Sequence, residues 1–289
     1  MDRELVRRLI GTQFPQWAHL PVRAVPVDGW DHRSFRLSDT LLVRLPGAAA
    51  YAGQVEHEHR WLPTFAPLLP LAIPEPLGLG RPAEGYPFAW SVYRWIEGET
   101  AAAARVGDMQ VFAAALARFL GALQRIDPEG GPEPGARNFH RGGALAAYDA
   151  EAREAIRRLS PSIDAVAATR LWDAAVRTTW QRDPVWVHGD ISAGNLLVRD
   201  GELAAVIDFG QLAVGDPACD LAIAWTFLDS RSRAVFRSAL ALDADTWLRG
   251  RAWALWKAAI VGAGLADTNA VEKAQASRTL EAILGSDRA

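Results

Sequence analysis

The sequence has a single cysteine, Cys219, among its 289 residues. One cysteine cannot form a disulfide within the chain, and this usage is typical of a reducing compartment. The first residues, MDRELVRRLIGTQF, are amphipathic and charged, and they lack the apolar core of a signal peptide. No apolar run approaches the roughly 18–20 residues that span a bilayer. We therefore expect a cytoplasmic protein with no membrane partner.

Basic residues are not in excess, and lysine is nearly missing. The chain has 31 Lys and Arg residues against 34 Asp and Glu residues, which gives a formal net charge of -3. A protein that binds nucleic acid usually carries a basic surface, so this balance argues against a nucleic-acid partner. Only Lys257 and Lys273 are lysines, so any cation in the first half of the chain must be arginine. The composition does not indicate an oligomeric state.

The character of the chain changes near residue 98. Strand signals before this point lie in residues 22–27, 33–45, 77–80 and 88–95, and helical signals in 2–12 and 51–66. Helical signals after it lie in residues 108–125, 144–159, 164–181 and most of 218–283, with Asp108 as a candidate N-cap of the first. They surround one β-hairpin at 195–208, whose turn is predicted at Asp200 and Gly201. The pattern predicts an α+β fold of two lobes. Residues 1–97 would form a lobe built on an antiparallel sheet with a helix, and residues 98–289 a larger, mainly helical lobe.

Three polar residues surround the predicted hairpin. Asn195 begins one strand and Asp208 follows the other, so strand pairing should place them close together. Asp190 lies on the loop just before the hairpin and can reach the same place. Carboxylate and amide oxygens suit Mg²⁺, which usually completes its shell with water and substrate phosphates. With Asp208 and Asn195 as metal ligands, Asp190 stays free to accept a proton from an attacking hydroxyl, as phosphoryl transfer requires.

These residues carry a resemblance to a known family. HGDISAGN (188–195) followed by IDFG (207–210) resembles the catalytic loop and metal-binding triplet of the protein-kinase-like fold. The HGD form and the following GDPACDLA (215–222) are more similar to the aminoglycoside phosphotransferase family, which is related to choline, homoserine and fructosamine kinases. The resemblance implies a bilobal protein-kinase-like fold with a nucleotide-binding first lobe. It also implies an ATP-dependent, Mg²⁺-assisted phosphoryl transfer to a hydroxyl of a small molecule.

The resemblance assigns roles to the polar residues of the second lobe. It implies that Asp190 is the catalytic base and that Asn195 and Asp208 bind magnesium. His188 is expected to hold the loop by hydrogen bonds. Asp216 and Asp220, in GDPACDLA, could either cap a helix or brace the active loop.

The strand LLVRLP offers Arg44 as the cation that kinase-like folds place on the third strand. Protein kinases usually have a lysine there, whereas arginine can hold phosphate oxygens in a bidentate manner. The following helix, VEHEHRWL, carries two glutamates that could orient this cation. Glu58 matches the family pattern better, and Glu56 remains an alternative.

The remaining nucleotide contacts are also implied by the resemblance. SVYRWIEGE is similar to the connection between the lobes, where the backbones of Arg94 and Ile96 would meet adenine. Leu42 would pack on the ring. The turn DGWDHRS (28–34) lies where the family has its nucleotide-covering loop, although it lacks a G-x-G-x-x-G pattern.

The acceptor is the least determined part of the expected function. An antibiotic of the aminoglycoside type is the first expectation, with a macrolide or a choline-, homoserine- or sugar-like metabolite as alternatives, and GTP could replace ATP. Four tryptophans of the C-terminal helices could line an acceptor pocket: Trp225, Trp247, Trp253 and Trp256. A protein kinase is disfavoured because IDFG is followed almost directly by GDPACDLA, without a long activation loop. A nucleotide-binding pseudokinase stays open because Arg44 departs from the usual lysine.

Overall fold

The computed structural model, which describes residues 1–25, 32–266, 268 and 270–285, begins with an antiparallel sheet. The order of its five strands is β1-β2-β3-β5-β4. They are β1 (Val22–Ala24), β2 (His32–Leu37), β3 (Leu41–Pro46), β4 (Pro76–Gly80) and β5 (Trp90–Arg94). Of the turn DGWDHRS (28–34), His32, Arg33 and Ser34 belong to the described residues, so most of the expected nucleotide-covering loop lies outside them.

Helix α1 (Arg3–Gln13) packs against this sheet. Alternate residues of β2 and β3 are buried, as the two-residue period of a strand requires, and they share a core with Val6, Leu9 and Ile10 of the helix. The strand signal over 33–45 resolves into two strands. The chain turns between them at Ser38, whose φ is 57°.

Helix α2 (Ala49–Phe65) packs against β3, β4 and β5. Its buried residues recur every three or four positions, as expected for one face of a helix: Gln54, Val55, Glu58, Leu62 and Phe65. This face includes one of the two glutamates considered above, while Glu56 points to the exposed side of the helix.

The rest of the chain is mainly helical. Its helices are α3 (Met109–Leu123), α4 (Asp149–Leu159), α5 (Ala165–Val176), α6 (Ile223–Thr226), α7 (Ser230–Ala239), α8 (Ala244–Gly262) and α9 (Ala270–Gly285). The predicted N-cap is confirmed, because the Asp108 carboxylate accepts hydrogen bonds from the backbone of Gln110 and Val111. The helix predicted over 164–181 ends earlier, at Val176.

Two small sheets lie between these helices. The predicted hairpin is formed by β8 (Leu196–Arg199) and β9 (Glu202–Val206), with β6 (Glu99–Thr100) added at its edge. Its turn residues have positive φ, 54° at Asp200 and 82° at Gly201, as a tight two-residue hairpin turn requires. The second sheet pairs β7 (Val185–Val187) with β10 (Ala213–Gly215). In sequence, β7 directly precedes HGD and β10 follows IDFG.

The sheet portion and the helical portion share one hydrophobic core. Leu62, Phe65 and Tyr93 from the first portion pack in the same cluster as Phe112 and Phe209 from the second. This contact brings α2 beside the IDFG segment. The α+β class with an N-terminal antiparallel sheet and a mainly helical remainder is confirmed. Within the described ranges, none of the helices is long and apolar enough to cross a membrane.

Candidate active site

The base of the hairpin brings three polar residues together. The N–H of Ile207 donates to the carbonyl of Asn195 over 2.9 Å, which sets Asn195 beside Asp208. The side-chain amide of Asn195 donates to the Asp190 backbone carbonyl over 2.9 Å and to Asp190 Oδ2 over 3.2 Å. Asp208 has a φ of 67°, a left-handed conformation that turns the chain directly after β9. The structure therefore collects Asp190, Asn195 and Asp208 at one place, as the hairpin argument predicted.

The loop that carries Asp190 is braced from beneath by a buried carboxylate. Asp220 is fully buried, and its two oxygens accept hydrogen bonds from the N–H groups of His188 and Gly189, each over 2.8 Å. Of the two roles considered for Asp220, bracing the loop agrees with these contacts. His188 accepts from the Asp190 N–H at Nδ1 over 3.2 Å, and its Nε2 lies 3.1 Å from the Ile207 carbonyl. His188 thus links the loop to the hairpin.

Gly189 is the one position of this loop where only glycine fits. Its φ is 84°, in the left-handed region that glycine adopts without a steric penalty. A Cβ at this position would lie 2.4 Å from the backbone oxygen of Gln211. The close approach holds the residue before Asp190 against the segment that follows IDFG.

Lys257 of α8 contacts Asp190, and sequence reasoning missed this contact. Lys257 Nζ lies 3.0 Å from Asp190 Oδ1. Burial is the largest influence on Asp190 and raises its pKa, but the positive charges of Lys257 and Arg141 outweigh it and leave the pKa lowered. The carboxylate is therefore held in its ionised form. The one available signal was composition, since Lys257 is one of only two lysines in the chain.

Arg44 lies between two carboxylates. Its Nη1 is 3.6 Å from Glu58 Oε1, and its Nη2 is 3.0 Å from Asp208 Oδ2. Glu58 is buried. It accepts one hydrogen bond from the Tyr93 hydroxyl and another from the Phe209 N–H, the latter over 3.0 Å. Glu58 rather than Glu56 is thus the glutamate beside Arg44.

Burial and the short distances between these charged groups shift their pKa values. Burial raises the pKa of Glu58 more than the positive charge of Arg44 lowers it. Burial also raises the pKa of Asp208, but the positive charge of Arg44 outweighs it and leaves the pKa lowered. Burial disfavours the charged form of the Arg44 guanidinium, but Asp208 and Glu58 favour it more strongly, so the pKa of Arg44 is raised.

His32 is a member of this cluster that the sequence did not indicate. It is buried, and its Nδ1 accepts a hydrogen bond from Arg44 Nη2 over 3.3 Å. Burial, followed by the positive charge of Arg44, lowers its pKa from 6.5 to about 3. The imidazole is therefore neutral and serves as an acceptor for Arg44.

The residues expected to contact adenine are Leu42 on β3, Arg94 at the end of β5 and Ile96 just after it. Leu42 pairs with Tyr93 across these strands and is partly buried. The N–H of Arg94 already donates to the Glu75 carbonyl over 2.9 Å. Among the described residues, no hydrogen bond is made by the N–H of Ile96. The groups left for a base are thus the Arg94 carbonyl and the Ile96 N–H.

The candidate pocket tryptophans are mostly core residues. Trp247, Trp253 and Trp256 are nearly inaccessible, and only Trp225 is partly exposed. Trp253 and Trp256 pack around the guanidinium of Arg141, which lies 5.1 and 5.2 Å from their ring centres. Arg141 in turn donates to Gln211 Oε1 over 2.8 Å. The cluster stabilises the segment beneath the active loop.

The donor set fits a magnesium ion that arrives with a nucleotide. Within the described residues, the side-chain oxygen of Asn195 and the Oδ1 atom of Asp208 have no hydrogen-bond partner, and both are hard oxygen donors. No group of three His, Cys, Asp or Glu residues in that part of the chain could hold a metal. Mg²⁺ typically takes one or two carboxylates and receives other ligands from water and phosphates. Asp208 and Asn195 would therefore hold the ion.

Similarity to known proteins identifies the family of this chain. The sequence profile of the phosphotransferase enzyme family matches residues 22–253. The chain belongs to this family. A segment of 63 residues is 38% identical to an aminoglycoside 3′-phosphotransferase of Escherichia coli and covers 22% of this chain and 23% of that protein. The segment thus spans about a quarter of the relative.

Solved structures of other phosphotransferases share the fold. The GDP and kanamycin complex of APH(2″)-IIIa superposes with a TM-score of 0.72 at 20% identity and covers 98% of each chain. The macrolide 2′-phosphotransferase MphH from Brachybacterium faecium superposes with a TM-score of 0.60 at 21% identity, covering 96% of this chain and 98% of its own. At these identities the match establishes the shared architecture.

Proposed function

We propose that this phosphotransferase moves the γ-phosphoryl group of ATP or GTP onto a hydroxyl of a small molecule. The observation that carries the proposal is the convergence of Asp190, Asn195 and Asp208 with Arg44 beside them. Two carboxylates with lowered pKa and a buried cation at one place supply a base, metal ligands and a phosphate contact. These are the parts that phosphoryl transfer needs.

Each residue then has a separate role. Asp190 accepts the proton of the acceptor hydroxyl as that oxygen bonds to the γ-phosphorus and the bond to the β–γ bridging oxygen breaks. Asp208 and Asn195 would hold Mg²⁺, which would neutralise charge on the phosphates. Arg44 must release Asp208 to hold phosphate oxygens, while Glu58 keeps its guanidinium in place.

The nucleotide would lie between the two portions of the chain. Leu42 packs on the base, and the Arg94 carbonyl and the Ile96 N–H provide the hydrogen bonds at its edge. We place the boundary between the nucleotide-binding lobe and the catalytic lobe at residues 97 and 98, because β5 ends just before it and β6 joins the hairpin of the second lobe. We also place the protein in the cytoplasm, in keeping with its single buried cysteine.

An antibiotic of the aminoglycoside type is the first acceptor to test, since the curated relative is an aminoglycoside 3′-phosphotransferase. A less cationic acceptor such as a macrolide is the second candidate. The observation that favours it is the ammonium group of Lys257 beside Asp190, because like charges repel. A nucleotide-binding protein without turnover is the remaining alternative.

Product mass spectrometry tests the proposal. Purified protein is incubated with Mg-ATP or Mg-GTP and a panel of aminoglycosides, macrolides, amino alcohols and sugars, in parallel with Asp190→Asn. General-base catalysis contributes about 10²–10⁴-fold, so Asp190→Asn should lose at least 100-fold in turnover while Mg-nucleotide affinity stays nearly unchanged. Asp208→Asn should instead weaken Mg-nucleotide binding by calorimetry. Full turnover in Asp190→Asn would show that the assigned base is wrong.

A further inference from the structure

The carboxylate of Asp190 is held by a different donor at each oxygen. Lys257 Nζ lies 3.0 Å from Oδ1, and the Asn195 amide lies 3.2 Å from Oδ2. A carboxylate whose oxygens are bonded separately cannot rotate without breaking both contacts. Among the described residues, Lys257 is the sole cation within ion-pair distance of Asp190.

The path of α8 delivers Lys257 to this place. Gly250 of the same helix lies against residues 217–222, and a Cβ there would come within 2.6 Å of Leu221 Cβ and 3.2 Å of the Ala218 oxygen. The glycine thus permits close packing of α8 on the segment that carries Asp220. Lys257 follows seven residues later, which is two helical turns and therefore the same side of the helix.

The choice of lysine has a physical reason. All but two of the 31 basic residues are arginines, yet the residue that contacts the candidate base is a lysine. An arginine fork tends to bind both oxygens of a carboxylate, whereas a lysine acts as a point charge on one. With one donor on each oxygen, Asp190 keeps a free lone pair on each for an acceptor hydroxyl.

We propose that Lys257 is a positioning residue for phosphoryl transfer. It holds Asp190 in one orientation, with an oxygen directed at the acceptor hydroxyl, and it does not bind the nucleotide. The inference rests on the proposed function, because Lys257 has this role only if Asp190 acts as the base.

A kinetic comparison tests this role. The acceptor is kanamycin or, if wild type leaves kanamycin unmodified, the first compound of the panel above that gives product. Lys257→Met should lower kcat by about tenfold or more, the effect of losing a hydrogen bond to a charged group, and leave the KM values for nucleotide and acceptor within about twofold. Lys257→Arg should recover part of kcat. Lys273→Met is the matched control, since Lys273 is exposed on α9, and its kcat should equal that of wild type.

Nuclear magnetic resonance tests the contact without an acceptor and without a variant of Lys257. Protein labelled with ¹³C and ¹⁵N in lysine alone should give two side-chain ammonium environments, because the chain has two lysines. Lys273→Arg assigns them. Asp190→Asn should move the Lys257 signal and leave the Lys273 signal in place.

The outcomes separate the two claims. If Asp190→Asn abolishes turnover while Lys257→Met keeps full kcat, or raises only the KM for the acceptor, the positioning role is refuted and the proposed function stands. An unmoved Lys257 signal in Asp190→Asn also refutes the role. If no compound gives product with wild type, or if Asp190→Asn turns over normally, the proposed function fails and the role of Lys257 fails with it.

Discussion

Replacement of Asp220 should uncouple the active loop from its support. The carboxylate is fully buried and accepts two backbone hydrogen bonds of 2.8 Å, from His188 and Gly189. Asp220→Ala leaves both N–H groups without an acceptor in the protein interior. Asp220→Asn keeps one acceptor oxygen but turns an amide N–H₂ toward the other N–H.

The size of the effect follows from opposing contributions. A hydrogen bond to a charged group contributes about 1.5–3 kcal/mol, so two contribute about 3–6 kcal/mol. Burying the carboxylate opposes this, and burial is the largest influence on its pKa, which is raised. Removing the charge regains part of that cost. We expect Asp220→Ala to lower the free energy of unfolding by about 2–4 kcal/mol, and Asp220→Asn by at least about 1 kcal/mol.

Urea denaturation followed by tryptophan fluorescence measures the loss, and amide hydrogen exchange locates it. Protection of His188 and Gly189 should fall in both variants, and turnover should fall with it. Asp245→Asn is the control, because Asp245 is exposed at the start of α8, and it should stay within about 0.5 kcal/mol of wild type. Unchanged exchange at His188 and Gly189 in Asp220→Ala would refute the bracing role.

Two further predictions concern backbone and charge. Gly189→Ala should lower the free energy of unfolding by at least about 2 kcal/mol, since the residue has positive φ and a Cβ would meet the Gln211 oxygen. Gly194→Ala is the control in urea denaturation, because a Cβ there meets only Ser192 Oγ at 3.8 Å. Equal losses in the two variants would contradict the steric argument. The pKa of His32 is lowered to about 3 from an ordinary 6.5. As pH falls from 7 to 5, the His32 imidazole therefore gains a proton in the unfolded chain and stays neutral in the folded protein. Wild type should therefore lose about 2 kcal/mol more stability than His32→Gln between pH 7 and pH 5, and parallel losses in pH-dependent denaturation would show that His32 titrates normally.

Local sequence patterns predicted much of the secondary structure. The Asp108 cap and the hairpin turn at Asp200 and Gly201 depend on neighbours within a few positions, so short patterns predicted them. The convergence of Asn195 and Asp208 followed from hairpin pairing for the same reason. Arg44 was expected as the phosphate-holding cation only through resemblance to a family, and its contact with Asp208, 164 positions away, was not predicted.

Helix α8 shows why other contacts escaped prediction. It is buried on nearly all sides, with Trp247, Trp253 and Trp256 among its core residues, so hydrophobic periodicity gives no preferred face. The same helix supplies Arg249, whose buried guanidinium lies 2.6 Å from Asp216, and Lys257. A sequence pattern cannot show which of these side chains meets the active loop.

The sequence by itself determined the class of fold, the hairpin and the motif residues Asp190, Asn195 and Asp208, because these depend on short-range pairing and on residue chemistry. Tertiary structure decided which groups surround them: Glu58 beside Arg44, the neutral His32, and Lys257 on Asp190. These contacts join elements that are far apart in sequence, and packing of the shared core and of α8 sets their distances. The charge state of each carboxylate follows from those distances and from burial.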